Sequence, residues 1–261
     1  MKNLLLAILA VLFLGSGCYA NQNDTLPLLK DKKVLFVYGG WQGHEPMKCL
    51  NLFVPWIQSE GATVDTSASL DVYLDIEKLK SYDLIIQIYT MSSITEEQEE
   101  GLLEAIKSGV GIAGWHGGLG DAFRQNTQYQ FMVGGQWVAH PGGIIDYSVQ
   151  ITNSLDPVTK GLSEFAVNSE QYYMHVDPNV KVLATTTFND EHAFWINKTV
   201  MPIAWKKYFG KGRVFYTSLG HTADVFDIPE ALQIMQRGIR WASGSKHQPF
   251  EKWISPVYPT K

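Results

Sequence analysis

Three of the seven histidines stand directly after predicted β-strands, and their positions indicate where this chain could perform chemistry. His44 follows the strand-like run KKVLFVYGG, His116 ends VGIAGWH, and His221 ends VFYTSLGH. Because the carboxyl ends of parallel strands share one edge of a sheet, we expect these imidazoles to converge there. Converging imidazoles can hold a metal ion or transfer protons, and the spacing alone does not choose between the two.

The segment GIAGWHGGLGDAF places His116 at a sharp corner of the chain. A run of small and apolar residues leads into this histidine, and Gly117 and Gly118 follow at once. Glycine permits positive φ and close approach of the backbone, so we expect His116 to be exposed where its strand ends. Glu45 and Glu170 are the carboxylates nearest to these motifs, and either could complete a metal site or orient a histidine.

Aromatic and charged residues near the histidines are candidates for substrate binding. Trp41, Trp115 and Trp137 each lie within a few residues of a candidate histidine. An indole ring can stack on the C–H face of a sugar while its N–H donates a hydrogen bond; packing in the core is the alternative. Asp121 and Arg124 follow the corner, and they either cap the next helix or contact a polar ligand.

Helical and strand-like segments alternate along the chain. Amphipathic helices are predicted over residues 45–61, 93–109 and 228–244, because apolar residues recur there at helical spacing. Runs rich in β-branched and aromatic residues predict strands between and after them, and MPIAWKKYFGKGRVFYTSLG predicts a hairpin that turns on GKG. The alternation predicts an α/β fold with a doubly wound, mainly parallel, flavodoxin-like sheet.

The first 20 residues have the pattern of a signal peptide. Lys2 precedes the apolar run Leu4–Leu14, and small residues follow. Cleavage after this segment would release a soluble protein, whereas cleavage before Cys18 would leave that cysteine lipidated. We therefore expect an exported protein, periplasmic or anchored to a bacterial membrane by a lipid. The remaining predicted parts are a tether over 21–31, one domain over 32–246 and a C-terminal tail over 247–261.

Composition excludes some classes of partner and cofactor. The net charge of −5 gives no basic surface of the kind that binds nucleic acid. The run YGGWQG is not the G-x-G-x-x-G fingerprint, so NAD is not expected. Cys49 is the one cysteine besides Cys18, and its helical pattern predicts a buried, unreactive residue. Nothing in the sequence predicts the oligomeric state.

Five segments, in this order, resemble the trehalose-utilisation (ThuA-like) family: VLFVYGGWQGHE, GVGIAGWHGG, MVGGQWVAHPGG, DPVTKGLSEF followed by SEQYY, and PIAWKKYFGKGRVFYTSLGH. The resemblance extends from Lys32 to about Trp241 and implies a class I glutamine-amidotransferase-like fold. In amidotransferases of that fold the corner reads G-x-C-x-G. Here His116 takes the place of the nucleophilic cysteine, so glutamine hydrolysis is not expected. The family's acid pair is reduced to Glu170.

The resemblance implies a role in carbohydrate catabolism with a small carbohydrate as ligand. We expect an enzyme that acts on a disaccharide or keto-sugar by hydrolysis, elimination or isomerisation, with imidazoles transferring protons. His116 and His221 are the predicted catalytic residues. Together with His44 and Glu170 they are the predicted ligands of a divalent metal such as zinc. His140, in VAHPGG, is a further candidate.

The alternative function is a non-catalytic carbohydrate-binding or accessory lipoprotein. The tryptophans would then carry the binding, and the histidines would only satisfy hydrogen bonds.

Overall fold

A computed structural model describes residues 26–253 of the chain. The predicted signal peptide, Cys18 and residues 254–261 lie outside the described residues. Within residues 26–253, no helix is both long and apolar enough to cross a membrane.

The described chain alternates strands and helices in its first half and is mostly strand in its second half. In chain order the strands are β1 (Lys33–Gly40), β2 (Thr63–Ser67), β3 (Leu84–Thr90), β4 (Gly111–Trp115), β5 (Gly135–Ala139), β6 (Ile144–Ile151), β7 (Phe165–Glu170), β8 (Tyr173–Val176), β9 (Lys181–Thr187), β10 (Val200–Phe209) and β11 (Gly212–Thr217). The helices are α1 (Pro46–Ser59), α2 (Ile76–Ser81), α3 (Glu96–Ser108), α4 (His116–Gly120), α5 (Thr127–Val133) and α6 (Pro229–Ser243).

Strands β2-β1-β3-β4-β11 form the parallel part of the main sheet, in that spatial order. A parallel pair needs a crossover connection, and α1, α3 and the short α2 lie in the connections between β1, β2, β3 and β4. The order matches that of flavodoxin-like doubly wound sheets, in which ligands bind beyond the carboxyl ends of the strands. The predicted α/β class with a doubly wound, mainly parallel sheet is confirmed.

Antiparallel strands extend this sheet at one edge. The order continues from β11 through β10, β9 and β6 to β7, with each neighbouring pair antiparallel. Strands β10 and β11 form the predicted hairpin, paired from Ala204–Thr217 to Phe209–Gly212. Strands β5 and β8 form a separate antiparallel pair, which the sequence did not predict. The extension matters for function because Glu170 is the last residue of β7.

Apolar side chains cover both faces of the sheet. On one face, Phe53 of α1 and Ile239 of α6 pack into a cluster with Phe36 and Phe215 of the sheet. A second cluster on the other face contains Leu102 of α3. This division explains why β1, β3 and β4 are buried on both sides, as expected of parallel strands between helices.

The helix signals in the sequence agree with the structure. Thr95 and Gln98 form a reciprocal capping box at the start of α3, and Gly109 with φ 123° follows its last residue. Cys49 is fully buried in α1, as expected, and this burial raises the pKa of its thiol to about 12. The thiol therefore stays protonated and behaves as a small apolar group.

The described part of the predicted C-terminal tail packs against the antiparallel strands. The Glu251 carboxylate accepts a hydrogen bond from the Trp241 indole N–H, while its backbone N–H donates to the Tyr208 hydroxyl at 3.0 Å. The Trp253 ring stacks on Tyr208 with centroids 5.1 Å apart. Residues up to Trp253 are therefore part of the packed domain rather than a free extension.

Candidate metal and substrate site

The corner after β4 has the form of an elbow, and the strained residue is the histidine itself. His116 has φ 47°, in the left-handed region that residues with a Cβ seldom occupy. His116 is 1% exposed, so the expectation that it is exposed at this corner is wrong. Neither glycine that follows has positive φ, contrary to the expectation from the sequence. The two glycines instead allow neighbouring groups to approach the backbone closely. A Cβ at Gly117 would lie 2.5 Å from the His44 ring, and a Cβ at Gly118 would lie 2.6 Å from the Ile88 backbone.

The structure brings together His44, His116, Glu170 and His221, which we name the histidine–glutamate cluster. One ligand atom from each lies within 4.8 Å of the others. His116 Nε2 lies 3.1 Å from Glu170 Oε2, and His221 Nδ1 lies 3.3 Å from each of these two atoms. They are supplied by the segment after β1, the first residue of α4, the last residue of β7 and the loop after β11.

Hydrogen bonds behind the rings fix which nitrogens face the centre. His116 Nδ1 lies 2.8 Å from the Ser218 carbonyl oxygen, which can only accept, so this nitrogen carries the proton. His44 Nδ1 lies 2.9 Å from the Thr90 hydroxyl. A metal-binding histidine commonly anchors its second nitrogen in this way. For neutral His116, whose anchor can only accept, the remaining nitrogen then presents a lone pair.

Burial favours the neutral forms of His44 and His116, and Glu170 beside them is ionised. Burial, with the neighbouring His116 and His221, lowers the pKa of His44 to about 3. Burial also lowers the pKa of His116, although its contacts with Glu170 and the Ser218 carbonyl act in the opposite direction. Burial alone would raise the pKa of Glu170, but close contacts with His116 and His221 outweigh it and lower that pKa well below its usual range.

These charges leave an electron-rich centre that fits a cation. In its neutral form His116 directs a lone pair at Glu170 Oε2, so the two atoms repel unless a proton or a metal ion lies between them. Zinc bound tetrahedrally at about 2.0–2.1 Å would separate its ligand atoms by roughly 3.3–3.4 Å, close to the three distances observed. The donor set of imidazole and carboxylate suits zinc and similar divalent ions.

Two further aromatic residues form the wall beside the cluster. Tyr172 stacks on His116 with ring centroids 4.0 Å apart, which holds the imidazole plane. His140 Nε2 lies 3.7 Å from Glu170 Oε1, whereas the short contacts of His116 and His221 are with Oε2. The sequence did not single out Tyr172, although its position two residues after Glu170 on the edge of the site was a usable signal.

The three tryptophans occupy different environments. Trp115 is 2% exposed, and its ring packs against Phe53 and Phe226 in the core. The expectation that Trp115 binds substrate is therefore wrong. Strand β4 is buried on both faces of the sheet, and the Trp115 side chain packs into the apolar cluster on one of these faces. Trp41 is 48% exposed and lies edge-on to His44, with centroids 4.8 Å apart, so it can contact a ligand.

Trp137 is already partly covered by the protein. The Arg124 guanidinium lies 4.4 Å from the centroid of the Trp137 ring, and the indole N–H has no hydrogen-bond partner among residues 26–253. Asp121 holds Arg124 through two hydrogen bonds of 2.6 and 2.7 Å. Asp121 is buried and does not cap the next helix, whose N-cap is Asn126, so that expectation is also wrong. Arg124, held by Asp121, lies against Trp137, and contact of Asp121 and Arg124 with a polar ligand stays a prediction.

Glu45 does not join the cluster, although it follows His44. Its carboxylate accepts hydrogen bonds from the Lys48 ammonium and from the Ala223 backbone N–H. Glu45 has φ 49°, and this turn directs it away from His44 and toward the start of α1. The structure thus selects Glu170, and not Glu45, as the carboxylate of the site.

The geometry assigns the chain to a structural class, and comparison with known proteins then assigns it to a family. A flavodoxin-like α/β domain with histidines at the carboxyl edge of its sheet is the class that the geometry defines. The family model for trehalose utilisation, ThuA, matches residues 33–242. The chain therefore belongs to the ThuA family, whose description supports a role related to carbohydrates.

Solved structures agree with this assignment at the level of fold. The chain is similar to a ThuA-like protein from Bacteroides uniformis at 20% identity and a TM-score of 0.70, covering 82% of this chain and 92% of that one. A ThuA-like protein from Parabacteroides merdae is similar at 20% identity and a TM-score of 0.65, covering 85% of this chain and 94% of that one. No curated protein matches the chain in sequence.

Proposed function

We propose that this protein is an exported, divalent-metal-dependent enzyme that acts on a disaccharide or keto-sugar. The observation that carries the proposal is the histidine–glutamate cluster at the carboxyl edge of the parallel strands. The family's description supports the carbohydrate. His116 at the elbow cannot perform the acyl transfer of a cysteine nucleophile, so glutamine hydrolysis is not the reaction we propose.

His44, His116, Glu170 and His221 would hold the metal. When bound, a divalent ion supplies Lewis-acid polarisation of a carbonyl or hydroxyl oxygen of the sugar. Residues behind these ligands keep them in place: the Ser218 carbonyl orients His116, and Tyr172 stacks on its ring. Burial of His116 and Glu170 excludes bulk water from the centre, which strengthens every electrostatic interaction there.

His140 is the residue that we assign to proton transfer. The sequence indicated His116 and His221 for this role, but His116 Nε2 and His221 Nδ1 lie 3.3 Å apart and 3.1 and 3.3 Å from Glu170 Oε2, so we assign both residues to metal ligation instead. The His140 side chain is 34% exposed, compared with 1% for His116, and can meet a substrate. Its imidazole can take a proton from the carbon next to a sugar carbonyl and return it to a leaving oxygen or a neighbouring carbon.

Trp41 is the aromatic side chain that we assign to the sugar ring. Its exposure and its position against His44 and His221 leave an apolar surface beside the centre. Such a surface suits the C–H face of a sugar. The same observation favours the second candidate function, a carbohydrate-binding protein without catalysis.

We propose export on the pattern of residues 1–20, with either release after cleavage or lipidation at Cys18. Mass spectrometry of the mature protein purified from membranes and from the soluble fraction distinguishes the two. An unprocessed N-terminus in cells would contradict export.

Metal analysis of the purified protein tests the central proposal. We expect about one divalent ion per chain in the wild type and loss of that ion in His116→Ala, with the fold retained by circular dichroism. Turnover of a mono-keto derivative of trehalose should disappear in the same variant. Metal-free wild-type protein, or full turnover by His116→Ala, would refute the enzyme proposed here. Sugar binding without turnover would support the binding protein.

A further inference from the structure

Helix α4 is too short to satisfy its own backbone, and buried side chains complete its hydrogen bonds. The last four carbonyl groups of a helix have no partner within it, and α4 has five residues. Three buried side chains, which we name the α4 clamp, donate to its carbonyl oxygens. They are Tyr216 on His116 at 3.1 Å, Gln87 on Gly118 at 3.2 Å and Tyr129 on Leu119 at 3.0 Å. The α4 clamp thus joins β11, β3 and α5 to the helix that begins at His116.

Tyr216 is the member of the α4 clamp that holds the histidine itself. Its side chain is fully buried, and its ring packs against Trp205 with centroids 4.4 Å apart, so the scaffold fixes where the hydroxyl lies. The hydroxyl proton goes to the His116 carbonyl, because the other group nearby, the Met174 thioether at 3.6 Å, is a weak acceptor. Gly120 leaves the space that this hydroxyl needs, since a Cβ there would lie 2.4 Å from the oxygen.

The backbone conformation of His116 gives this hydrogen bond a role beyond satisfying a buried carbonyl. With φ 47°, His116 is strained, and such a conformation persists only where the surrounding structure enforces it. A fixed donor on the carbonyl oxygen holds the peptide group that follows the histidine. Without that donor, we expect the backbone to relax and the imidazole to turn with it.

One stretch of chain holds His116 at two points and also supplies another member of the cluster. The Tyr216 hydroxyl holds its backbone, and the Ser218 carbonyl accepts a hydrogen bond from its ring at 2.8 Å. His221 follows in the same stretch, and its Nδ1 lies 3.3 Å from His116 Nε2. The end of β11 and the residues after it therefore set the position of His116 relative to His221.

We propose that Tyr216 is a positioning residue of the histidine–glutamate cluster, which holds the His116 peptide so that Nε2 faces Glu170 and His221. This inference rests on the proposed function, because it takes the metal from there. It adds a residue that is not a ligand and yet controls how tightly the metal is held. Loss of a residue that orients a metal ligand typically weakens metal binding by about 10–100-fold.

Tyr216→Phe tests the proposal because it removes the hydroxyl and keeps the buried ring. We expect the purified variant to bind cobalt(II) at least about tenfold more weakly than the wild type in competition with a chelator. The visible absorption of the bound cobalt should also change, because it reports the geometry of the ligands and not the stability of the fold.

Tyr73→Phe is the matched control for this experiment. Tyr73 is also fully buried, and its hydroxyl donates to the Gln87 side chain at 2.8 Å rather than to a carbonyl of α4. This variant should lose stability in urea, as Tyr216→Phe should, but keep the cobalt affinity and absorption of the wild type. Wild-type affinity and absorption in Tyr216→Phe, or equal changes in both variants, would overturn the assignment.

Crystal structures of the metal-free variants separate this inference from the proposed function. In metal-free Tyr216→Phe we expect His116 to leave the left-handed region and its Nε2 to move away from Glu170, whereas metal-free Tyr73→Phe should keep both. An unchanged His116 in metal-free Tyr216→Phe would refute the positioning role even where the wild type binds a metal. A wild type that binds no metal would refute the proposed function, and the metal-free structures would still decide the role of Tyr216.

Discussion

His140 differs from the other histidines of the site in its exposure and in the oxygen that it faces. It approaches Glu170 Oε1, while His116 and His221 share Oε2. The Glu170 carboxylate thus has two sides. Its Oε2 faces the buried ring nitrogens that we assign as metal ligands, and its Oε1 faces His140, on the side that a substrate can reach. A proton-transfer group belongs on the open side because it must reach the substrate and keep a free lone pair.

Replacing His140 should separate metal binding from catalysis. We expect His140→Ala to retain the metal and to lose about a hundredfold or more in kcat on a mono-keto derivative of trehalose, since proton transfer by a placed side chain contributes 10²–10⁴-fold. Added imidazole should restore part of the activity, because the small base can occupy the space left by the side chain.

His192→Ala is the matched control for this experiment. Its side chain has the same 34% exposure as His140, and its ring packs against Gly142 in the neighbouring turn. We expect unchanged kcat in this variant. If His140→Ala keeps full activity, or if it loses the metal, the role assigned to His140 is wrong.

The β4–α4 corner shows how an element positions the cluster. Strand β4 ends at Trp115, and helix α4 begins at His116 in a left-handed conformation, which turns the imidazole toward His221 and Glu170. The backbone after the corner then passes directly under the His44 ring. Only a residue without a side chain fits between them.

Gly117→Ala should therefore displace His44. The added Cβ would lie 2.5 Å from His44 Cε1 and 2.8 Å from Thr90 Cγ2, so the ring must move from its anchor on the Thr90 hydroxyl. We expect a metal affinity at least tenfold weaker, comparable with that of His44→Ala, as measured by competition with a chelator.

Gly161→Ala is the control for the effect of a Cβ on stability. Gly161 has φ 76° and nothing within 4 Å of an added Cβ, so this variant should lose roughly 1 kcal/mol of stability from backbone strain alone. It should keep the wild-type metal affinity. Normal affinity in Gly117→Ala would show that the corner does not fix His44.

The elements differ in how far the sequence could predict them. Helix α3 carries its own signals, a capping box at Thr95 and a glycine at position 109, and it was predicted within three residues at either end. Strands β5 and β8 were not predicted, since their pairing depends on contacts distant in sequence. The cluster followed from one rule, the shared edge of parallel strands, which applies to His44, His116 and His221.

The rest of the site depended on tertiary packing that no local pattern encodes. The local pattern left Glu45 and Glu170 as alternatives, and the family resemblance favoured Glu170. The antiparallel extension is what brings β7, and with it Glu170, to the site. Trp115 and Trp41 were likewise equivalent as aromatic neighbours of a histidine. Trp115 is buried in the core, whereas Trp41 is exposed. The residues next to each tryptophan in the sequence do not predict this difference in burial.

At the scale of the whole molecule, an ionic network joins the antiparallel strands to the C-terminal segment. Asp156 is fully buried and contacts Lys206 of β10 and Lys181 of β9, each at 2.7 Å. Both lysines also approach Glu251, at 3.5 and 3.6 Å. The network lies on the part of the sheet that supports β7, so it stabilises the scaffold of Glu170 rather than the reaction itself.

The network should make stability depend on pH in the acid range. Burial alone would raise the pKa of Asp156, but the charge of Lys206 and hydrogen bonds from both lysines outweigh it and hold that pKa below its ordinary value. An aspartate whose pKa is lower in the folded state stabilises the fold above its unfolded pKa of about 3.9. This contribution is lost as the pH falls through the folded pKa.

Asp156→Asn measures the contribution directly. The amide can keep the bond from the Val158 backbone N–H, but it removes the carboxylate nearest to the buried Lys206 ammonium and leaves only Glu251, at 3.6 Å. Breaking a buried ion pair in this way typically costs about 3–5 kcal/mol. Urea unfolding should show this loss at pH 7 and a smaller difference from the wild type below about pH 4, where Asp156 begins to be protonated in the unfolded chain. Asp146→Asn, at an exposed aspartate on β6, removes the same charge and should change stability by less than about 0.5 kcal/mol at either pH. A difference for Asp156→Asn that is constant from pH 7 to pH 3 would mean that the charge of this carboxylate does not hold the antiparallel strands together.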